Sequence, residues 1–157
     1  MLKKNGGQTV IELILILPVF MLIIFVVLEL GNIAYHTLIA HHISYELARV
    51  GSMVGVKKHS GAADGTRMNN KMRAALSKML GMADPGRKVR FTPRIVRTST
   101  DPQLRIHTNE DLVVNVVYRV DLAFPLTSYI FASEPKKLGI LWLKANSRMP
   151  IEKPLID

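Results

Sequence analysis

The chain has 157 residues, a formal charge of +9 and no cysteine. That length allows one domain, or one small domain with an anchor, and the missing cysteines exclude a disulfide framework, a thiolate metal site and a cysteine nucleophile. The positive charge favours loose association with lipid headgroups, wall polymer or nucleic acid without specifying any of them.

The first element is an apolar run behind Lys3 and Lys4, with no charged residue from Leu13 to Leu28. A helix from Val10 to Leu28, rising ~1.5 Å per residue, covers roughly 28 Å, close to the ~30 Å hydrocarbon thickness of a bilayer. One membrane span is therefore predicted. The basic start sets the N-terminus in the cytoplasm and everything after about residue 30 across the membrane. A cleaved secretory signal fits poorly, because the run is long, no small-x-small site follows it and Glu12 interrupts it. A plain anchor accounts for the run but not for Glu12. A carboxylate at the centre of such a helix costs about 2.5 to 3.5 kcal/mol, less near an end where it can snorkel, so intramembrane acids usually have a partner.

The stretch GQTVIE sets Gly7 five residues before Glu12, with the hydrophobic helix following at once. In this the sequence resembles type IV prepilins. The resemblance implies cleavage by a prepilin peptidase between Gly7 and Gln8, leaving a cationic α-amino group. In a bundle of such helices the Glu12 carboxylate of one subunit can neutralise the terminus of a neighbour. A glycine before the scissile bond leaves the protease an unobstructed approach. Further on, Pro18 lies inside the apolar run, and LELGNIAY (28–35), with Glu29 and Gly31, is followed by SYELARVGSM (44–53). Together these look like the TadE-like minor pilins of tight-adherence (Flp, type IVc) pilus systems. The chain is much longer than the major Flp pilins, which suits a minor pilin.

Taken singly, these residues have plainer readings. Pro18 removes a backbone donor and bends many unrelated helices. Glu29 reads as a marker of the outer water boundary more readily than as an assembly residue. Gly31, Ala34, Ala40, Ala48 and Gly51 are small enough for close helix packing.

Beyond the span, Leu30, Ile33, Ala34, Leu38, Ile39, Ile43, Leu47, Val50 and Val54 recur at steps of three to four and predict a helix extension with an apolar stripe to be covered. VKKHSGAADGT (56–66) reads as a loop. Met68, Met72, Leu76, Met79 and Leu80 define a second amphipathic helix, with Thr66 as N-cap and Gly81 as stop; the methionines suit an adaptable core better than a cofactor site. DPGRK (84–88) reads as a turn.

Three strands follow. In KVRFTPRIV, Val89, Phe91 and Ile95 alternate with Lys88, Arg90 and Arg94, and Pro93 argues for a sheet edge. Leu112, Val114, Val116, Tyr118, Val120 and Leu122 alternate most cleanly. Leu141, Leu143, Ala145, Met149 and Ile151 form one face of the third. The predicted fold class is α+β: a long N-terminal transmembrane helix extending into an amphipathic helix, a short second helix and a small antiparallel sheet. The expected organisation is a leader at 1–7, the span at 8–30, a helix extension at 31–55 and an α+β periplasmic head at 56–157.

No catalytic set emerges. GMADPGRK (81–88) has the glycine spacing of a phosphate loop, but Arg87 and Lys88 occupy the positions that need Lys and Ser/Thr. His36, His41 and His42 lack the i, i+4 spacing of a metal pair and read as polar surface or subunit contact. Lys57, Lys58, Arg67, Lys71, Arg73, Arg87, Lys88, Arg90, Arg94 and Arg97 form a basic cluster with only Phe91 interleaved. A solvated face, near anionic lipid, suits it better than a stacking nucleic-acid site.

The expected protein is therefore not an enzyme and uses no cofactor, metal or small-molecule substrate; a nucleic-acid partner is not expected. The family resemblance implies as partners the prepilin peptidase, other pilin-like subunits, an inner-membrane assembly platform and the lipid bilayer. It places the chain in a bacterial inner membrane with a periplasmic C-terminal head, available for incorporation into a pilus. The alternatives are a minor pseudopilin of a type II secretion machine and a membrane-anchored protein whose basic head binds DNA or wall polymer.

Overall fold

The computed structural model describes residues 6–54, 65–99 and 108–151. In chain order it contains α1 (Gly6–Val54), α2 (Gly65–Leu80), a 3-10 turn (Pro85–Arg87), β1 (Val89–Ser99), β2 (Thr108–Asp121), α3 (Thr127–Phe131), a second 3-10 turn (Lys136–Leu138) and β3 (Ile140–Pro150). The strands form one antiparallel sheet in the order β1-β2-β3, so the architecture is α+β, as expected. The expected loop at 56–66 lies outside the described residues up to position 64.

Helix α1 runs for 49 residues and continues through Pro18. The imide there can donate no hydrogen bond to the preceding turn. From Ile11 to Ile23 every side chain is exposed, all but one of them apolar. In water such a surface would be strongly disfavoured at roughly 25 cal/mol per Å², so this stretch needs a lipid or protein cover.

The chain divides into two compact units, Met1–Tyr35 with Val120–Leu141, and His36–Arg119 with Trp142–Asp157. The second unit holds a mixed core of Ala40, Ile43, Leu47 and Ala48 from α1, Met68, Met72 and Leu76 from α2, and Leu112, Val114, Val116 and Tyr118 from β2. Strand β2 is central and buries every second residue, because successive side chains of a strand point to opposite faces. Strand β1 pairs with it in the register Val89↔Tyr118 to Ser99↔Thr108. Its edge position lets Pro93 turn its missing donor away from the ladder. On the other side Ile151 N donates to Glu110 O at 2.8 Å, and Arg148 Nε donates to Asp111 Oδ2 at 2.8 Å.

The buried face of α1 differs from the expected apolar stripe. Within that stripe Ile43 and Leu47 are buried, but Leu30, Ala34 and Leu38 are exposed. Beyond Glu29, the buried positions are Ala40, Ile43, Ser44, Leu47, Ala48, Gly51 and Ser52, which share one face at steps of three and four. Size decides the orientation. A β-carbon on Gly51 would overlap Leu112 and lie 3.0 Å from Met72 Sδ, so the backbone approaches its neighbours as closely as only glycine allows. Ser44 Oγ donates to Val114 O at 3.2 Å, which satisfies a hydroxyl on this face.

In α2, Met68, Met72 and Leu76 are buried as expected, whereas Met79 is 38% exposed. Thr66 is not the N-cap, because the helix already includes Gly65. Gly81 ends the helix as expected, in the left-handed region with φ of +61°. Met82 N donates back to Ser77 O at 3.3 Å, the six-to-one bond of a Schellman end.

In the first unit the chain leaves β2 at Asp121 and returns at Ile140 through α3 and the second 3-10 turn. Two bonds draw this segment together: Leu122 N donates to Gly139 O and Ser133 N to Ile140 O, each at 2.8 Å. Leu126 has φ of +69°, a region that costs a branched residue about 1 to 2 kcal/mol. Its side chain is 56% exposed, so burial does not offset that strain within the chain.

Candidate functional site

Glu29 is fully buried, with no exposed surface. Its Oε2 accepts from Phe124 N at 2.9 Å and Ala123 N at 3.1 Å, and its Oε1 accepts from Asn32 Nδ2 at 2.9 Å. Thr127 Oγ1 lies 3.0 Å from Oε2 and 2.7 Å from Phe124 O, so its one proton serves either acceptor. Convergent donors offset the cost of removing a carboxylate from water, and bonds to an ionised acceptor are about twice as strong as neutral ones. One turn earlier on the same helix, Phe25 stacks on Phe124 with ring centroids 5.8 Å apart and planes at 19°. Phe25, Glu29 and Asn32 thus form one helical face that grips residues 123–127 through an aromatic contact and a carboxylate cradle.

Glu29 is therefore held by partners within its own chain. Sequence reasoning missed the cradle because two of its donors are backbone amides, which leave no mark on residue identity. The available signal was the F-x-x-x-E-x-x-N spacing at 25, 29 and 32.

The expected processing and assembly residues lie at the start of α1. Gly7 is exposed in the first turn, and Gln8 follows it in the helix. Glu12 is exposed one turn beyond Gln8 and shares a shallow surface with Thr9, Leu13, Ile16, Leu17 and Phe20. Gly31 is exposed, and a β-carbon added to it would meet nothing within 4 Å. Glu12, Glu29 and Gly31 are thus not gathered into one site.

His41 and His42 are exposed, while His36 is half-buried against the Tyr118 ring at 5.6 Å. Among the described residues no group of three His, Cys, Asp or Glu side chains is placed to hold a metal ion. Arg67, Lys71, Arg73, Arg87, Lys88, Arg90 and Arg94 are exposed. Lys57 and Lys58 lie outside the described residues, and Arg97 is placed only as a position in β1. A cleft of about 510 Å³ is lined by Arg73, Ser77, Asp84, Arg90 and Phe91 among others. Two of its polar groups are turn-forming: Ser77 Oγ donates to Met82 O, and Asp84 Oδ1 accepts from Gly86 N. The phosphate-loop-like stretch is a turn, as expected.

No curated protein and no solved structure matches the chain. Residues 7–49 match the model of a family described as TadE-like protein. That stretch carries Gly7, Glu12, Pro18, Glu29 and Gly31, and over it the chain is similar to the TadE-like family.

Proposed function

We propose that this chain is a minor pilin-like assembly component of a Tad (Flp, type IVc) pilus, anchored in the inner membrane and processed after Gly7 by a prepilin peptidase. The observation that carries the reading is the coincidence, within the TadE-like stretch, of Gly7, Glu12 and one uninterrupted helix. Its exposed apolar surface from Ile11 to Ile23 suits a bilayer before assembly and neighbouring helices after it. In this reading residues 1–7 are the leader, 8–30 the span, 31–55 the extension and 56–157 the periplasmic part. The partners are the peptidase, other pilin-like subunits and the assembly platform.

The first turn suits processing. A protease needs extended backbone, and Gly6 and Gly7 each hold a helix less well than alanine by about 1 kcal/mol, so unwinding this end costs little. Cleavage makes Gln8 the terminus, one turn from Glu12. The role is structural rather than catalytic, as similarity to the TadE-like family over residues 7–49 suggests. N-terminal mass analysis of protein made with its cognate peptidase tests the reading. Gln8 is the expected first residue; an intact Met1, or a cut beyond residue 30, would overturn the prepilin assignment.

A further inference from the structure

We propose that the segment Leu122–Gly139 is a second membrane contact, laying Leu126, Tyr129 and Ile130 into the leaflet farther from the N-terminus beside the span. The inference rests on reading the apolar run of α1 as membrane-spanning, and goes beyond it by assigning a lipid-facing role to residues more than ninety positions away.

Four observations point the same way. The segment sits at the depth of the span's outer end: Phe124 stacks on Phe25, and Leu126, Tyr129 and Ile130 border a groove of about 270 Å³ together with Leu22 and Val26. At ~1.5 Å per residue, Leu22 lies roughly 9 Å inside Leu28, so this groove opens at hydrocarbon level.

Second, Leu126, Tyr129 and Ile130 are 56%, 68% and 57% exposed, a cluster of large apolar side chains that their own chain leaves uncovered. The surface is continuous with the apolar exterior of α1, and a bilayer covering one covers the other.

Third, the backbone where the segment meets the helix is bonded within the chain. The amides of Ala123 and Phe124, where the segment meets the helix, are bonded to Glu29, and those of Leu122, Tyr129 and Ala132 to carbonyls of the segment. Non-helical backbone is tolerated at membrane depth where it is held within protein, as the Ala123 and Phe124 amides are by Glu29.

Fourth, charge follows the apolar cluster in the order that an interface requires. Lys136 and Lys137 are exposed in the following turn, where anionic headgroups would meet them, and Lys136 Nζ donates to Tyr129 O at 3.0 Å. The acidic residues nearby, Asp121 and Glu134, are exposed outside the cluster. A tyrosine beside two lysines is the composition of a membrane–water boundary.

The lack of native cysteine makes the test direct. Leu126→Cys, Tyr129→Cys and Ile130→Cys, with Leu17→Cys and Leu38→Cys as references, are each made in the full chain, spin-labelled and placed in vesicles of phosphatidylcholine and phosphatidylglycerol. Accessibility to oxygen and to a water-soluble nickel chelate is then read by power saturation. The expected result is strong oxygen and weak nickel access at 126, 129 and 130, corresponding to roughly 5 to 10 Å below the phosphates, with Leu17 deeper and Leu38 open to nickel.

Nickel access at the three sites with Leu17 still shielded would overturn the proposal and leave the span standing. Shielding from both reagents would overturn it in favour of a protein contact. Nickel access at Leu17 would remove the span and the proposal together.

Discussion

At the scale of single residues, Glu29 carries the largest local consequence. Glu29→Ala removes the acceptor for the Ala123 and Phe124 amides, and hydrogen bonds to a charged group contribute about 1.5 to 3 kcal/mol each. The hold on residues 123–127 should weaken by about 3 kcal/mol or more, with Glu29→Gln milder because one acceptor oxygen remains. Limited tryptic digestion at Lys136 and Lys137 should then be fastest in the alanine variant and intermediate in the glutamine variant. Equal rates in all three proteins would show that the cradle does not secure the segment. In sequence Glu29 reads as a marker of the water boundary, and three of its partners lie 94 to 98 residues further along the chain. Only folding brings them together.

At the scale of elements, what could be read in advance depended on whether the signal was periodic or steric. The alternation at Leu112, Val114, Val116 and Tyr118 identified β2, and Pro93 identified the sheet edge, because pleating and a missing donor act locally. The buried face of α1 was legible only in part. Counting apolar residues selected Ile43 and Leu47, which are buried, but also Leu30, Ala34 and Leu38, which are not; of the small residues marked for close packing, Ala40, Ala48 and Gly51 are buried and Gly31 and Ala34 are exposed. Gly51→Val should therefore overpack the contact with Leu112 and Met72, costing roughly 1 to 3 kcal/mol. Gly31→Ala, with open space around it, should be neutral or slightly stabilising. Thermal unfolding in detergent distinguishes them, and equal melting temperatures would refute the close-approach account of Gly51. On β1, Arg90→Glu with Arg94→Glu should leave pilus assembly nearly intact, since exposed charges contribute little individually. Loss of assembly together with loss of DNA or wall-polymer binding would favour a dedicated basic ligand site.

For the whole molecule, the apolar run, the TadE-like stretch and the α+β composition were all readable because each is written in contiguous sequence. The division of the chain at Tyr35 and Val120 was not, since it depends on which distant segments meet. The functional account turns on Glu12, a carboxylate retained at the start of an otherwise apolar helix. If it serves assembly by meeting the cleaved terminus of a neighbouring subunit, replacing it with leucine should favour insertion and leave cleavage after Gly7 in place, while removing the partner that packing requires. The decisive measurement is piliation of cells whose only copy carries Glu12→Leu, counted by electron microscopy beside a blot for processed, membrane-bound protein. The account predicts normal amounts of processed protein in the membrane and loss of pili; normal piliation would contradict it and reduce the segment to a plain anchor.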